Sequence, residues 1–313
     1  MARQAANKKQ IVFWRAVVTA VLIVAAIAVL TMHWQTVSAS LRTARKAQLD
    51  WLVIALASMA ATFCIAASLY DVLALHYLRY RQTVIVELAT AFVNRLLPSG
   101  LGGLGLNGVY LYKRKHTVAE ATAIVSINNL IGMLAHMGLF ISALLLYPSA
   151  FRQFASGLDI HFSWQAALAV VLTMGVIVSL PKVKRRIFQF MRNVWHSLRK
   201  LQKAALLVAL ALAILLTATY TVILYSVAHS LGLSITPLRA FIIFSVGMLT
   251  GTATPTPGGL IGAEAGLFAG FVAYDVPEVT AGAAVLLFRL VTYWLPLFPG
   301  VAALFLARHK KLI

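Results

Sequence analysis

Residues 250–270 read TGTATPTPGGLIGAEAGLFAG, which sets two prolines, four glycines at four-residue spacing and one carboxylate into an otherwise apolar region. Pro255 and Pro257 each remove a backbone donor and push Thr254 and Thr256 away from helical geometry, so a helix arriving from Phe241 is expected to break near Thr252. Irregular backbone at membrane depth persists only where protein or trapped water satisfies its N–H and C=O groups. The break is therefore expected to be buried against other segments and to line a cavity. Beyond it, Gly258, Gly262, Gly266 and Gly270 fall on one face, a ridge that lets a neighbouring helix approach closely. Glu264 lies two residues off the ridge, on roughly the opposite face. Two readings stay open: a proline-kinked packing helix with a satisfied carboxylate, or a binding site, since broken helices and ionisable groups in a membrane both mark function.

The 313 residues are 61% hydrophobic and 11% charged. Together with a mean hydropathy of +0.87, this excludes an ordinary soluble domain or a long disordered tail. The fold class is an all-α polytopic membrane protein, expected to form a single integral-membrane domain over 1–313. The length holds a helical bundle with no separate catalytic domain. No H-E-x-x-H, G-x-S-x-G or P-loop lysine supplies hydrolytic or nucleotide chemistry, so neither enzyme activity nor a cofactor is expected. A formal charge of +19 points to loops facing an anionic leaflet and not to nucleic acid. Cys64 is the single cysteine, which excludes an intrachain disulfide or a cysteine metal site.

The apolar runs at 11–32, 51–76, 119–147, 163–180, 204–231 and 279–306 give about six full transmembrane helices, with the first kept as an uncleaved span. The linker 35–50 is mildly amphipathic and is expected on the surface. Ser126, Asn129, Met133 and His136 share one face of the 119–147 span, which is expected to look inward; His136 reads most simply as a core histidine. Residues 182–203 carry eight basic side chains beside an apolar stripe, the pattern of an interfacial helix. Two segments are broken. Residues 83–113 contain LPSGLGGLGLNG at 97–108, and the part before the break, at about 1.5 Å per residue, is short of the roughly 30 Å bilayer core. Residues 237–274 contain the opening stretch. Gly100, Gly102 and Gly105 match G-x-G-x-x-G, but no strand precedes them, so a nucleotide site is not expected.

Both broken segments are read as re-entrant hairpins of an internal repeat, with half one at about 51–147 and half two at about 204–307. With the N-terminus inside, the cytoplasmic set holds Arg3, Lys8, Lys9, Arg15, Arg79, Arg81, residues 113–115, the 182–203 segment, Arg308, Lys310 and Lys311. The outer set holds Arg42, Arg45, Lys46, Arg152 and Arg239, while Arg95 and Arg289 stay in the membrane. This bias puts both termini in the cytoplasm. The two hairpins then enter from opposite faces, as in an inverted repeat whose broken helices meet near the midplane.

Three stretches in order, NRLLPSGLGGLG at 94–105, PTPGGLIGAEA at 255–265 and LLFRLVTYWLP at 286–296, resemble the lysylphosphatidylglycerol synthetase transmembrane-region family. This flippase-like family forms the N-terminal part of multiple peptide resistance factors and also occurs alone. Its proline, glycine pair and glutamate fall on Pro257, Gly258, Gly259 and Glu264, and its last-span arginine on Arg289. The resemblance implies a bacterial-type inner-membrane protein that translocates lipid, or one with an orphan membrane role. The aminoacyl-transferase domain of full-length relatives has no counterpart here, so lipid aminoacylation is not implied.

The resulting expectation is a flippase-like translocator of an anionic phospholipid or polyprenyl-phosphate lipid. Its substrate-binding residues are Arg95, Ser99, Gly102, Gly103, Asn129, His136, Pro257, Gly258, Gly259, Glu264, Arg289 and Tyr293. Helix N-termini after Pro98 and Pro257 suit a phosphate, and the arginines add charge-assisted bonds. Expected partners are membrane lipids with anionic headgroups, and a second copy or a membrane enzyme. The alternatives are a secondary transporter of a small anionic solute and a non-transporting membrane scaffold subunit.

Overall fold

A computed structural model describes residues 34–96, 101–157, 202–254, 256 and 258–313. Among these residues there are helices and turns and no strand. The expected spans at 11–32 and 163–180, and nearly all of the basic segment 182–203, lie outside them.

In chain order the helices are α1 (Trp34–Ala44), α2 (Leu49–Leu73), α3 (Tyr80–Leu96), α4 (Leu101–Lys113), α5 (Val118–Leu146), α6 (Pro148–Gly157), α7 (Lys203–Ser230), α8 (Pro237–Ala253), α9 (Gly262–Val272), α10 (Glu278–Arg289) and α11 (Leu297–His309). A π-helical turn, Leu290–Trp294, joins the last two. Local chemistry sets the boundaries. Thr117 and Glu120 form a reciprocal capping box at the start of α5, and Thr236 caps α8 with Pro237 in its first turn. The break after α8 comes at Thr254, with φ −91° and ψ 119°, close to the expected Thr252 and for the expected reason.

Among the described residues four stretches, α2, α5, α7 and the composite 278–309, are long and apolar enough to cross a membrane. The hairpin helices are shorter. At about 1.5 Å per residue, the 17 residues of α8 and the 11 of α9 reach roughly 26 and 17 Å. The segment 35–50 differs from the surface linker expected: α1 lies against α10, and Ser40 is 2% exposed where Gly282 leaves room for it.

Glycines close the second hairpin. A Cβ at Gly266 would meet Thr250 and, at 2.9 Å, the Val246 carbonyl; one at Gly262 would meet Thr254 and, at 2.6 Å, the Thr250 carbonyl; one at Gly270 would meet Ile243 at 3.0 Å. The ridge is thus Gly262, Gly266 and Gly270 against α8. Gly258, expected as its first member, lies in the break at φ +61° and faces Tyr293 instead.

The two hairpins share one contact register, shifted by 160 positions. Thr83 meets Tyr110 at 3.0 Å, as Ile243 meets Gly270. Glu87 meets Asn107 at 2.9 Å, as Gly247 meets Leu267. Both hairpins also end alike: Lys115 and Asp275 have φ of 69° and 62°, and each is followed by a bond reaching back five residues, His116 to Leu111 and Val276 to Phe271, both 3.2 Å. The long helices that precede the hairpins, α2 and α7, pack against each other and run antiparallel. The Gln48 amide just before α2 donates to the Ser230 carbonyl at the end of α7 at 2.8 Å, and Leu69 and Leu73 share a core with Ala209 and Ala213.

His116 ties the first hairpin's turn to the end of α2. Its Nε2 accepts from the amides of Leu75 and His76 at 3.2 and 3.3 Å, and Nδ1 lies 3.0 Å from the Leu111 carbonyl. This network requires the neutral ring, and burial holds the imidazole below its ordinary range; the nearby His76 acts in the same direction, and backbone bonds and Glu120 oppose it. Because the folded value is depressed, the contribution is whole above pH about 6.5 and is lost as pH falls from there through the folded value. Thermal melting of the wild type should therefore drop on acidification through this window. His116→Gln should show a lower melting point and a smaller drop; an equal drop in both would assign the acid sensitivity elsewhere.

Candidate functional site

The elements around the second break bring four side chains together. Glu264 stands in the first turn of α9, where a carboxylate is favoured by the helix dipole. Arg289 is the last residue of α10, and its Nε donates to Glu264 Oε1 at 2.6 Å. Its Nη2 reaches the Gly258 carbonyl at 3.4 Å. Tyr293 follows one turn later in the π-helical segment, 6% exposed, with the Arg289 guanidinium 4.6 Å from its ring centre. A Cβ on Gly258 would run into that ring. This close approach, together with its positive φ, explains the glycine.

The fourth side chain comes from the other hairpin. Arg95, in the last turn of α3, lies 5.5 Å from the same Tyr293 ring and donates to the carbonyls of Ala91 and Thr292. The Tyr293 hydroxyl donates to the Arg95 carbonyl at 3.3 Å. One ring thus serves two guanidinium groups, Arg95 from the first broken segment and Arg289 from the last span. A π-turn widens the helix by one residue, and such turns recur at functional sites. Here it precedes Pro296, whose missing donor relaxes the helical ladder.

The charge balance is uneven. The cluster contains two cations and one carboxylate, and Glu264 neutralises Arg289. Arg95 has no carboxylate partner among the described residues, and its Nε is buried without a hydrogen bond. Glu264 Oε2 is likewise buried and unsatisfied. Among the described residues no group of three or more His, Cys, Asp or Glu comes together to hold a metal.

Other expected site residues fall differently. Ser99 and Pro257 lie outside the described residues. Gly102 and Gly103 are buried where α4 packs on α3, and the Gly103 amide is taken by the Asn94 side chain. In the second hairpin, Ala263 and Ala265 donate to the carbonyls of Gly259 and Ile261. These two amides are therefore not free for a phosphate. Gly259, at φ +67°, packs on the Gly251 carbonyl. The expected inward face of α5 is corrected: Asn129 and Met133 are exposed, while Ile124, Ile127, Ile131 and Ala135 are buried. Bulk decided this, since the isoleucines fill the core and Ser126 satisfies its hydroxyl on the Thr122 carbonyl. His136 lies against Phe241 and Phe244 at 5.7 and 5.9 Å, as a packing histidine would. The sequence reading missed Glu87, Thr90 and Asn107, a buried polar cluster in the first hairpin. Its visible signal was the lone carboxylate in the otherwise uncharged run 83–94.

Residues 14–300 match the family described as the lysylphosphatidylglycerol synthase TM region. The chain belongs to this family. No curated protein matches the chain. As a member of the lysylphosphatidylglycerol synthase TM region family with four apolar helices of spanning length among the described residues, the chain is an integral membrane protein related to proteins that handle or modify lipids. Both broken segments and the Arg95, Glu264, Arg289 and Tyr293 cluster fall within the matched residues.

Proposed function

We propose that this protein is a flippase-like lipid translocator without enzymatic activity. Its headgroup site is the Arg95, Arg289 and Tyr293 cluster, and its substrate is a lipid carrying a phosphate. The observation that supports this most is the unbalanced charge: two guanidinium groups, one from the first hairpin and one from the last span, share one ring, and a single carboxylate answers them. An unpaired cation in the membrane interior costs on the order of 3 kcal/mol, and a phosphate oxygen would satisfy Arg95 with charge-assisted bonds. Glu264 holds Arg289 while the site is empty and gives way when the anion arrives. The antiparallel α2 and α7 and the shared hairpin register support an inverted repeat, with both termini cytoplasmic, in which the hairpins rock about a site at their meeting point.

The test uses proteoliposomes with headgroup-labelled anionic and zwitterionic lipids. Wild type should move the anionic headgroup, and Arg95→Gln should slow it by at least about tenfold, the effect of 1.4 kcal/mol on a rate, while melting at a similar temperature. Single cysteines at Lys115 and Glu278, in a Cys64→Ser background, should label from opposite faces. Normal translocation by Arg95→Gln would remove the headgroup role. Labelling from one face would remove the inverted repeat. Uptake of a small phosphate-bearing solute with no lipid movement would favour a solute transporter.

A further inference from the structure

The first hairpin holds a carboxylate that the cluster above does not use. Glu87, on α3, is 9% exposed, and its Oε1 accepts from Asn107 Nδ2 on α4 at 2.9 Å. Asn107 Oδ1 in turn accepts from the Thr90 hydroxyl at 3.0 Å. Asn107 and Thr90 are 4% and 5% exposed, so the group is closed to water on both helices. Tyr70 of α2, which also contacts Asn107 and Asn128, and Tyr220 of α7 lie within electrostatic range of the carboxylate, and Tyr220 is within range of Arg95 as well. Tyr110 of α4 is occupied with Thr83. Helix α11 packs Gly300 against Leu88 and Phe92 and carries Arg308 and His309 in its last turn. Among the described residues no lysine, arginine or histidine pairs with Glu87.

An ionised carboxylate in such a place needs a cation or several donors, and one neutral amide does not suffice. The neutral acid is the form this environment accepts. Nor does the hairpin need an acid here to pack. In the second hairpin, at the same position in the shared register, Gly247 receives the Leu267 side chain in place of the Glu87 and Asn107 pair. A glycine and a leucine thus fill the place without a polar atom, and the first hairpin carries a buried acid and amide that packing alone does not require.

We propose that Glu87 is a proton-binding site, which takes a proton from water when the first hairpin opens to one side and gives it up to water on the other. The carboxylate and an aqueous proton form the neutral acid, which crosses closed, and the acid ionises again when re-exposed. The proton's charge offsets that of an anion held by Arg95 on the same helix, so headgroup movement draws on a proton gradient. The coupling rests on the translocation reading, whereas the proton site does not.

The two parts are tested separately on the full chain. In lipid nanodiscs at neutral pH, infrared difference spectra should show a protonated-carboxyl band that is absent in Glu87→Gln and displaced in Glu87→Asp. Absence of such a band in the wild type overturns the proton site, as does its persistence in Glu87→Gln. In proteoliposomes with labelled phosphatidylglycerol and an imposed pH gradient, wild type should accumulate headgroup on one side by up to about tenfold per pH unit, the ratio set by one coupled proton. Glu87→Gln should still equilibrate the headgroup but lose that accumulation. Equal accumulation by wild type and Glu87→Gln overturns the coupling. If neither protein moves headgroup while the infrared band behaves as expected, the translocation reading fails and the proton site stands.

Discussion

Glu264→Gln combined with Arg289→Gln should give a folded protein that moves anionic headgroups at least about tenfold more slowly than wild type, if Arg289 meets the phosphate during transport. The expectation starts from the 2.6 Å pair between Arg289 Nε and Glu264 Oε1, whose side chains are 13% and 31% exposed. Removing only Arg289 leaves a membrane carboxylate whose second oxygen is already unsatisfied, a loss of about 3 kcal/mol that should show as poor expression or a low melting point. Removing both charges removes the imbalance, so the double variant should melt near wild type. Glu264→Gln alone frees Arg289, which keeps the Gly258 carbonyl and the Tyr293 ring. That variant should bind anionic lipid more tightly and release it more slowly. Headgroup translocation and lipid-binding affinity measured for both variants decide the matter. Full transport by a well-folded double variant would leave the pair a purely structural role and eliminate this mechanism.

Leucine at both Gly262 and Gly266 should abolish the folded state, whatever the protein transports. The atoms a side chain would meet include backbone carbonyls of Thr250 and Val246 at 2.6 and 2.9 Å, which cannot rotate aside as a side-chain end can. Overpacking at one well-packed position costs about 1–3 kcal/mol. Two adjacent insertions that force α8 and α9 apart should approach the whole stability of a domain. Gly138, beside whose Cβ there is open space, is the control: Gly138→Leu should leave melting within about 1 kcal/mol of wild type. A double leucine variant that melts like wild type would mean that the two helices do not touch along this ridge.

What the sequence determined by itself follows from rules that act over a few residues. The apolar runs fix α2, α5 and α7 to within a few residues because burying helix backbone in lipid requires long uncharged stretches. Proline chemistry fixes the break after Ala253, because Pro255 and Pro257 act on their own neighbours. Glycine spacing names Gly262, Gly266 and Gly270 as a ridge for the same reason. That Glu264 would need a partner was also legible, since an ionisable group at membrane depth is costly alone; that Arg289 supplies it came from the structure. Tertiary structure alone decided the rest. Which face of α5 turns inward depended on how much volume the neighbours leave, and isoleucine outweighed asparagine there. That α1 packs on α10 turned on Ser40 meeting Gly282, a contact between residues more than two hundred positions apart. Arg95 reaches the Thr292 carbonyl, and a carbonyl has no signature in a sequence. The shared hairpin register was hidden for the same reason: it is a pattern of contacts, and in it Glu87 and Asn107 occupy the places of Gly247 and Leu267, residue pairs with no chemistry in common.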